Sequence, residues 1–286
     1  CSEKQEYIWK MEEYVLKQNP DGTKITVHDV QMVLLEMMKD IDELCRRNDI
    51  PYFLSGGSAL GAVRHKGFIP WDDDADIFMM RSDFMRFIEV MKEQCPDKYV
   101  FQCWYTDKRF NVLIPGMKIR KKGTYLKEVN SLLSNRCTGY DGCDGVFLDV
   151  FVWDYATTDK WKDLPPRLAN DVLMVPEIIA DNVFHVNPKG IKSLIMHNAI
   201  SYSERCEKEH SPYIGFDLTW VWKSPFHPFI FRYDDIFPAQ YVPFEDTELP
   251  IAHHPEEYLN TAIAPSWRQL PPENKRFAKH IVDIRL

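Results

Sequence analysis

Several features are missing from this chain, and each absence narrows what the protein can be. No apolar run reaches the ~18 residues of a membrane-spanning helix, and no signal-peptide pattern appears. The expectation is a protein without an integral membrane segment, working in the cytoplasm, with peripheral attachment to the inner face of the membrane as the variant. There is no excess of positive charge: 35 Lys and Arg against 43 Asp and Glu leave a net charge of −8. That excludes nucleic acid as a partner and means that any anion-binding site is local. No CxxC pair occurs among the seven cysteines, of which Cys137 and Cys143 are the nearest in sequence. The odd, scattered set reads as reduced, cytosolic and mostly core. Internal repeats, low-complexity linkers and an evident domain break are missing too. The chain opens on Cys1 rather than Met, so residues upstream of the numbering are expected, with a lipidated Cys1 as the alternative.

What is present is enough apolar residue, 45% of 286, to build a sizeable core. Residues 29–49 carry Val30, Val33, Leu34, Met37, Met38, Ile41, Leu44 and Cys45 at helical spacing. A short buried strand is predicted over 50–55, then a Gly-rich turn opening into a helix. A strand over 74–80 follows, then a helix over 82–95 with Ser82 as its cap. Further strands are predicted over 98–105, 110–122 and 145–154. The last is apolar on both faces except for Asp149, which suits a central strand. Helical patches near 165–183 and 188–210 precede Pro- and aromatic-rich sequence from 212 to 272. This is an α/β (α+β) pattern in a single unit over 1–286: a mixed-sheet core over 28–156 and a helical and irregular C-terminal appendage, 157–286, packed on it.

The chemistry concentrates in "GAVRHKGFIPWDDDADIFMMR", residues 61–81, where Asp72, Asp73, Asp74 and Asp76 fall within five positions. Side chains two apart on a strand share a face, so Asp74 and Asp76 point the same way. Two such carboxylates either raise a pKa or hold a cation, and Mg²⁺ favours hard oxygen ligands. A lone D-x-D reads as an acidic surface turn. Here an apolar strand follows at once, and Asp149 sits isolated in another. A charge at Asp149 needs a partner, either a buried Lys or Arg or a cation shared with Asp74 and Asp76; the shared cation is the stronger reading. By alternation Asp73 points away and is dispensable for metal binding, while Asp72 is ambiguous.

Anion-binding candidates lie on both sides. "SGGS" at 55–58 precedes a helix whose first amides can cradle phosphate, with Gly56, Gly57 and Ser58 in the turn. Arg64, His65 and Lys66 add positive charge two turns on. In "MKIRKKGT", Lys118, Arg120 and Lys122 share one face of a strand, as phosphate ligands or as a solvated basic edge.

Strand, Gly-Gly turn, helix, D-x-D strand and later single-Asp strand form the pattern of the nucleotidyltransferase fold. "GGSALGAVRHKGFIPWDDDADIFMMRSDF" further resembles the signature of the LicD family of phosphocholine transferases, relatives of fukutin and the fukutin-related protein. "GMKIRKKGT", "GVFLDVFVWD", "YVPFEDTELPIAHHPEEYLN" and "LPPENKRFAKH" resemble other segments of that family. There are two departures: "IAPSW" at 263–267 replaces the usual Y-G-D-Y-M, and Val152 replaces a proline. The resemblance implies Mg²⁺, with Mn²⁺ as substitute, on Asp74, Asp76 and Asp149. Asp149 is then the catalytic base or only a metal ligand. Asp72 and Trp71 have supporting roles. Gly56, Gly57, Ser58, Arg64, His65, Lys118 and Arg120 lie toward the donor phosphates. The implied reaction moves a phospho-alcohol from a CDP-alcohol, CDP-choline first among them, to a glycan hydroxyl. Trp220 and Trp222, with Phe226 and Phe229, offer an aromatic box for a choline headgroup, against the plain alternative of core packing. Transfer of an NMP from an NTP, and non-catalytic glycan or nucleotide binding, are the competing functions on the same scaffold.

Overall fold

The computed structural model describes residues 14–111, 116–129, 136–137, 144–219 and 224–286. A hairpin of β1 (Val15–Gln18) and β2 (Lys24–Thr26) leads into α1 (Val27–Arg47). Thr26 and Asp29 close a reciprocal capping box there: the Asp29 amide donates to Thr26 Oγ1 and the Thr26 amide to the Asp29 carboxylate. The predicted apolar stripe is the buried face of this helix. Next come β3 (Phe53–Leu54), α2 (Gly56–His65), β4 (Asp76–Met80), α3 (Arg81–Gln94) and β5 (Tyr99–Cys103). They are followed by β6 (Phe110–Asn111), β7 (Met117–Lys121), β8 (Tyr125–Glu128), β9 (Arg136–Cys137) and β10 (Phe147–Ala156).

The predicted strands are trimmed where the backbone lacks a partner. Pro51 has no amide to donate, and β3 shrinks to two residues. The Cys103 carbonyl accepts from the amides of Thr106 and Asp107, which ends β5 in a turn. β4 starts at Asp76, so Asp74 stands in the extended approach to the strand and not on its ladder. Ser82 does not cap α3: the helix begins at Arg81 with Met80 as its N-cap and no side-chain cap bond.

β10 organises the sheet. On one edge it runs parallel to β4, with Asp149 opposite Asp76. Its other edge is shared by two antiparallel neighbours, β7 along Phe147–Val150 and β11 (Tyr213–Phe216) along Trp153–Ala156. β3 pairs with β4, β5 with β7, and β12 (Ile230–Arg232) with β11, making seven strands. The second half of the chain therefore supplies two strands of the central sheet; it does more than pack against a core that stops at 156. α4 (Lys160–Asn182) and α5 (Lys189–Lys208) pack together between β10 and β11 in sequence. After β12 come α6 (Tyr233–Ile236), the hairpin β13 (Gln240–Phe244)–β14 (Thr247–Ile251), α7 (Pro255–Ala262) and β15 (Ile281–Arg285), which pairs with β8. One core contains α1, the first-half strands and, from the C-terminal part, Phe231, Leu249, Tyr258 and Ile284.

Four cysteines among the described residues, Cys45, Cys95, Cys103 and Cys206, are free thiols, three of them buried. Among the described residues no helix is long and apolar enough to cross a membrane.

Candidate active site

Burial alternates along 72–77: Asp72, Asp74 and Asp76 are half-buried, while Asp73, Ala75 and Ile77 are buried. The alternation puts three acids on the open side. The parallel register then brings Asp149 level with Asp76 across the ladder. Burial pushes the Asp76 carboxyl well above the ordinary carboxylate range, and the charges of Asp74, Asp149 and Asp72 push it further. Asp74 and Asp149 are also raised, first by burial, against the opposing pull of His280 on Asp74 and of Lys118 on Asp149. Acids that resist ionising because they are buried and, at Asp76, beset by neighbouring carboxylates relax when a cation arrives. The side chains of Asp74 and Asp149 keep 22% and 17% of their surface open. Three oxygen-donor groups, crowded yet reachable, fit the preference of Mg²⁺ for carboxylate ligands.

The Gly-Gly turn is fitted to this row. Gly56 has φ +51°, a left-handed conformation that favours glycine. A Cβ on Gly57 would stand 2.3 Å from Asp72 Oδ2. The Asp76 amide donates to Ser58 Oγ (3.0 Å), which ties the first turn of α2 to the start of β4. Tyr258 Oη, from α7, accepts from the Gly56 amide (3.0 Å) and shares a hydrogen bond with Ser55 Oγ (2.8 Å). Tyr258 is buried among Phe53, Trp153 and Phe231. Tyr258→Phe strands a buried amide and a buried hydroxyl. It is expected to cost about 1–3 kcal/mol in urea unfolding.

Lys118 and Arg120 do share a face of β7, but it is an interior one. Lys118 Nζ lies 3.1 Å from Asp149 and 3.2 Å from Glu128. Arg120 bonds Gln102 Oε1, the Gly145 carbonyl and Glu128. The solvated basic edge is thus ruled out by β7 lying between β5 and β10. Asp149 has the buried lysine as its partner, and the parallel register sets it level with Asp76.

Arg64 and His65 stand at the far end of α2 from Gly56. Arg64 donates to the carbonyls of Trp267 (2.8 Å) and Gln269 (3.3 Å), and its Nε donates to His65 Nε2. Burial and the adjacent guanidinium push His65 down to about 4, so it is a neutral acceptor. Its ring meets Trp71 edge-on. These residues fix the 267–269 loop against α2.

Two residues that reach the acid row, Tyr258 and His280, were missed by the sequence reading. Asp73 does turn away from Asp76, but it is committed elsewhere: it accepts from the amides of Lys279, His280 and Ile281 and from His280 Nδ1 (2.9 Å). His280 Nδ1 also lies 3.3 Å from Asp74 Oδ2, and its bond to Asp73 and the nearby acids raise it to about 9. Asp73, Asp74 and His280 are the acid and imidazole groups whose ligand atoms converge within 4.8 Å among the described residues. Because every oxygen of Asp73 is already accepting, that trio is an ion-paired anchor. The ligand atoms of the predicted trio, Asp74, Asp76 and Asp149, do not all close to within 4.8 Å of one another. Only the resemblance of "LPPENKRFAKH" to a family segment hinted at His280, 207 residues from its partner.

Trp220 and Trp222 lie outside the described residues. Phe226 is exposed and lines a cleft of about 340 Å³ with Thr157, Lys160, Leu164 and Pro228. Thr157 follows the end of β10, eight residues or roughly 26 Å of strand from Asp149, so Phe226 does not border the acid row. Phe229 packs on Phe216 in the core.

Residues 49–126 match the family model described as "LicD/FKTN/FKRP, nucleotidyltransferase domain". The chain is 43% identical over 76 residues to the lipopolysaccharide cholinephosphotransferase LicD of Haemophilus influenzae, covering 27% of this chain and 29% of that protein. It is 36% identical over 88 residues to an uncharacterized protein of Rickettsia prowazekii, covering 31% of each chain. An uncharacterized protein of Rickettsia typhi is 45% identical over 60 residues, 21% of this chain and 19% of that one. The shared segment therefore spans less than a third of each of these relatives.

Proposed function

We propose, from the match of residues 49–126 to the LicD/FKTN/FKRP nucleotidyltransferase domain model, that the chain is a Mg²⁺-dependent transferase moving a phospho-alcohol from a CDP-linked donor to a hydroxyl of a cell-surface glycan. Phosphocholine from CDP-choline is the first donor to test, given what the Haemophilus influenzae relative is named for. Lipopolysaccharide or teichoic acid precursors are the acceptors to test. The observation that supports the reading most is the ladder register of Asp149 on Asp76, beside the D-x-D approach.

Asp74, Asp76 and Asp149 would hold Mg²⁺, or Mn²⁺ in its place, which when bound supplies neutralisation of the donor phosphates. The acceptor oxygen attacks the phosphorus bearing the alcohol, the bond to the other phosphate breaks, and CMP leaves with that bridging oxygen. The acceptor's proton goes to Asp149. Lys118, 3.1 Å away, fixes the direction of that carboxylate. The Gly56–Ser58 turn, clamped by Tyr258, offers backbone close to the acids for the phosphates.

The test is CMP release from CDP-choline with Mg²⁺ and a glycan acceptor, run beside a panel of NTPs scored for pyrophosphate. CMP with phosphocholine on the glycan is expected. Pyrophosphate from an NTP instead would make the chain an NMP transferase. In the same assay Asp149→Asn is expected to lower kcat by about 10²–10⁴-fold.

A further inference from the structure

Resting on the transferase reading above, the geometry points to the C-terminal segment, and not β7, as the holder of the donor's diphosphate: Asp73 latches residues 279–281 beside the acid row, and Arg276 and Lys279 supply the cations. A diphosphate needs cationic donors that are not already committed. Three of those suggested by the sequence are committed, while Lys66 and Lys122 are exposed and lie beyond the ends of α2 and β7. Lys118 pairs with Asp149 and Glu128, Arg120 with Gln102, Gly145 and Glu128, and Arg64 with the carbonyls of Trp267 and Gln269. Arg276 and Lys279 differ. Arg276 stacks 5.6 Å from the centre of the Trp71 ring, next to Asp72, and its Nε is fixed by the Pro271 carbonyl (2.8 Å). Among the described residues its Nη groups take no protein acceptor. Lys279 is exposed, forms no ion pair among the described residues, and acts by its charge on Asp72.

The segment is held from both sides. Asp73 Oδ1 accepts from the Lys279 amide (3.2 Å) and His280 Nδ1 (2.9 Å), and Oδ2 from the amides of His280 and Ile281 (3.0 Å each). Beyond it, the Val129 amide donates to the His280 carbonyl (2.8 Å), and β15 runs antiparallel to β8. A buried carboxylate with four donors, at the centre of an acid run, has little other reason to face a chain segment some 200 residues away. Asp73 is therefore a positioning residue, and Arg276 and Lys279 are donor-binding residues. The ligand class is a nucleoside diphosphate.

The experiment is calorimetric binding of CDP and of CMP, each with Mg²⁺, to the full chain and to Lys279→Ala, Arg276→Ala, Lys279→Arg and Asp73→Asn. Lys279→Ala and Arg276→Ala are expected to weaken CDP by at least about tenfold and CMP by less, because the lost contact is to the second phosphate. Lys279→Arg should restore most of the affinity. Asp73→Asn should weaken CDP likewise and speed hydrogen exchange at the amides of 279–281. Both alanine variants binding CDP as the wild type does overturns this inference and leaves the transferase reading standing. Failure of the wild type itself to bind CDP with Mg²⁺ overturns the transferase reading, and this inference with it.

Discussion

On the transferase proposed above, Asp76→Asn should lower turnover by roughly 10³-fold and, in the absence of metal, make the protein more stable. Both effects come from the same crowding. Asp76 is raised by burial and by three neighbouring carboxylates, and among the described residues its own carboxylate accepts no protein hydrogen bond. Its ionised form is unfavourable in the metal-free fold. Because its folded-state pKa lies above the ordinary value of 3.8, the contribution of the protonated group to stability is complete below about pH 3.8. It is lost as the pH rises through the folded-state value. Asparagine keeps the shape and removes the charge. The stability gap between variant and wild type should therefore widen from pH 4 to pH 8 in EDTA, as read by urea unfolding. On the proposed metal site, added Mg²⁺ should close or reverse it, since the variant lacks one of the three carboxylates proposed to hold the ion. Losing about 4 kcal/mol of charge stabilisation in the transition state corresponds to roughly 10³-fold in rate. A variant less stable than wild type at pH 8 in EDTA would show that the row is not self-repelling.

The largest loss of stability is expected from Arg81→Ala. The Arg81 guanidinium forks onto both oxygens of Asp154 (2.7 and 2.6 Å), reaches Asp217 (3.2 Å) and donates to Tyr105 Oη (2.6 Å). Asp154 and Asp217 are 2% and 4% exposed, so truncation leaves two buried carboxylates sharing no cation. Removing one partner of a buried pair costs about 3–5 kcal/mol. Urea denaturation should show a lower midpoint with an unchanged slope. Adding Asp154→Asn to the Arg81→Ala chain should recover part of the loss, because one stranded charge is gone. A change below about 1 kcal/mol would mean that water already reaches the pair.

Local patterns in the sequence carried the α/β pattern and most of the acid row. The helix over 27–47 follows from a 3.6-residue period, and the central place of β10 follows from an apolar run broken by a single Asp. Alternation separated Asp73 from Asp74 and Asp76. What could not be read is long-range pairing of polar groups. Nothing in "MKIRKKGT" distinguishes a phosphate-binding face from an interior one; that depends on β7 being flanked by β5 and β10. Ser82 had the composition of a cap, yet the helix starts a residue earlier, where Arg81 reaches Asp154 and Asp217. Tyr258 and His280 reach the site from more than 200 residues away, and Arg64 looked like a phosphate ligand until its carbonyl partners appeared.

The alignment of Asp149 with Asp76 has a consequence for how this site tolerates change. The spacing between the two acids is set by main-chain hydrogen bonds, so it is indifferent to the identity of side chains on the outer face of the sheet. It is acutely sensitive to chain length. One residue inserted between Gly145 and Leu148 would reverse which face Asp149 presents and swing it away from the row. One residue inserted in an exposed loop would not. Substitution scanning would therefore find this strand forgiving outside its packed positions, while a scan of single-residue insertions would find it the least forgiving stretch of the chain.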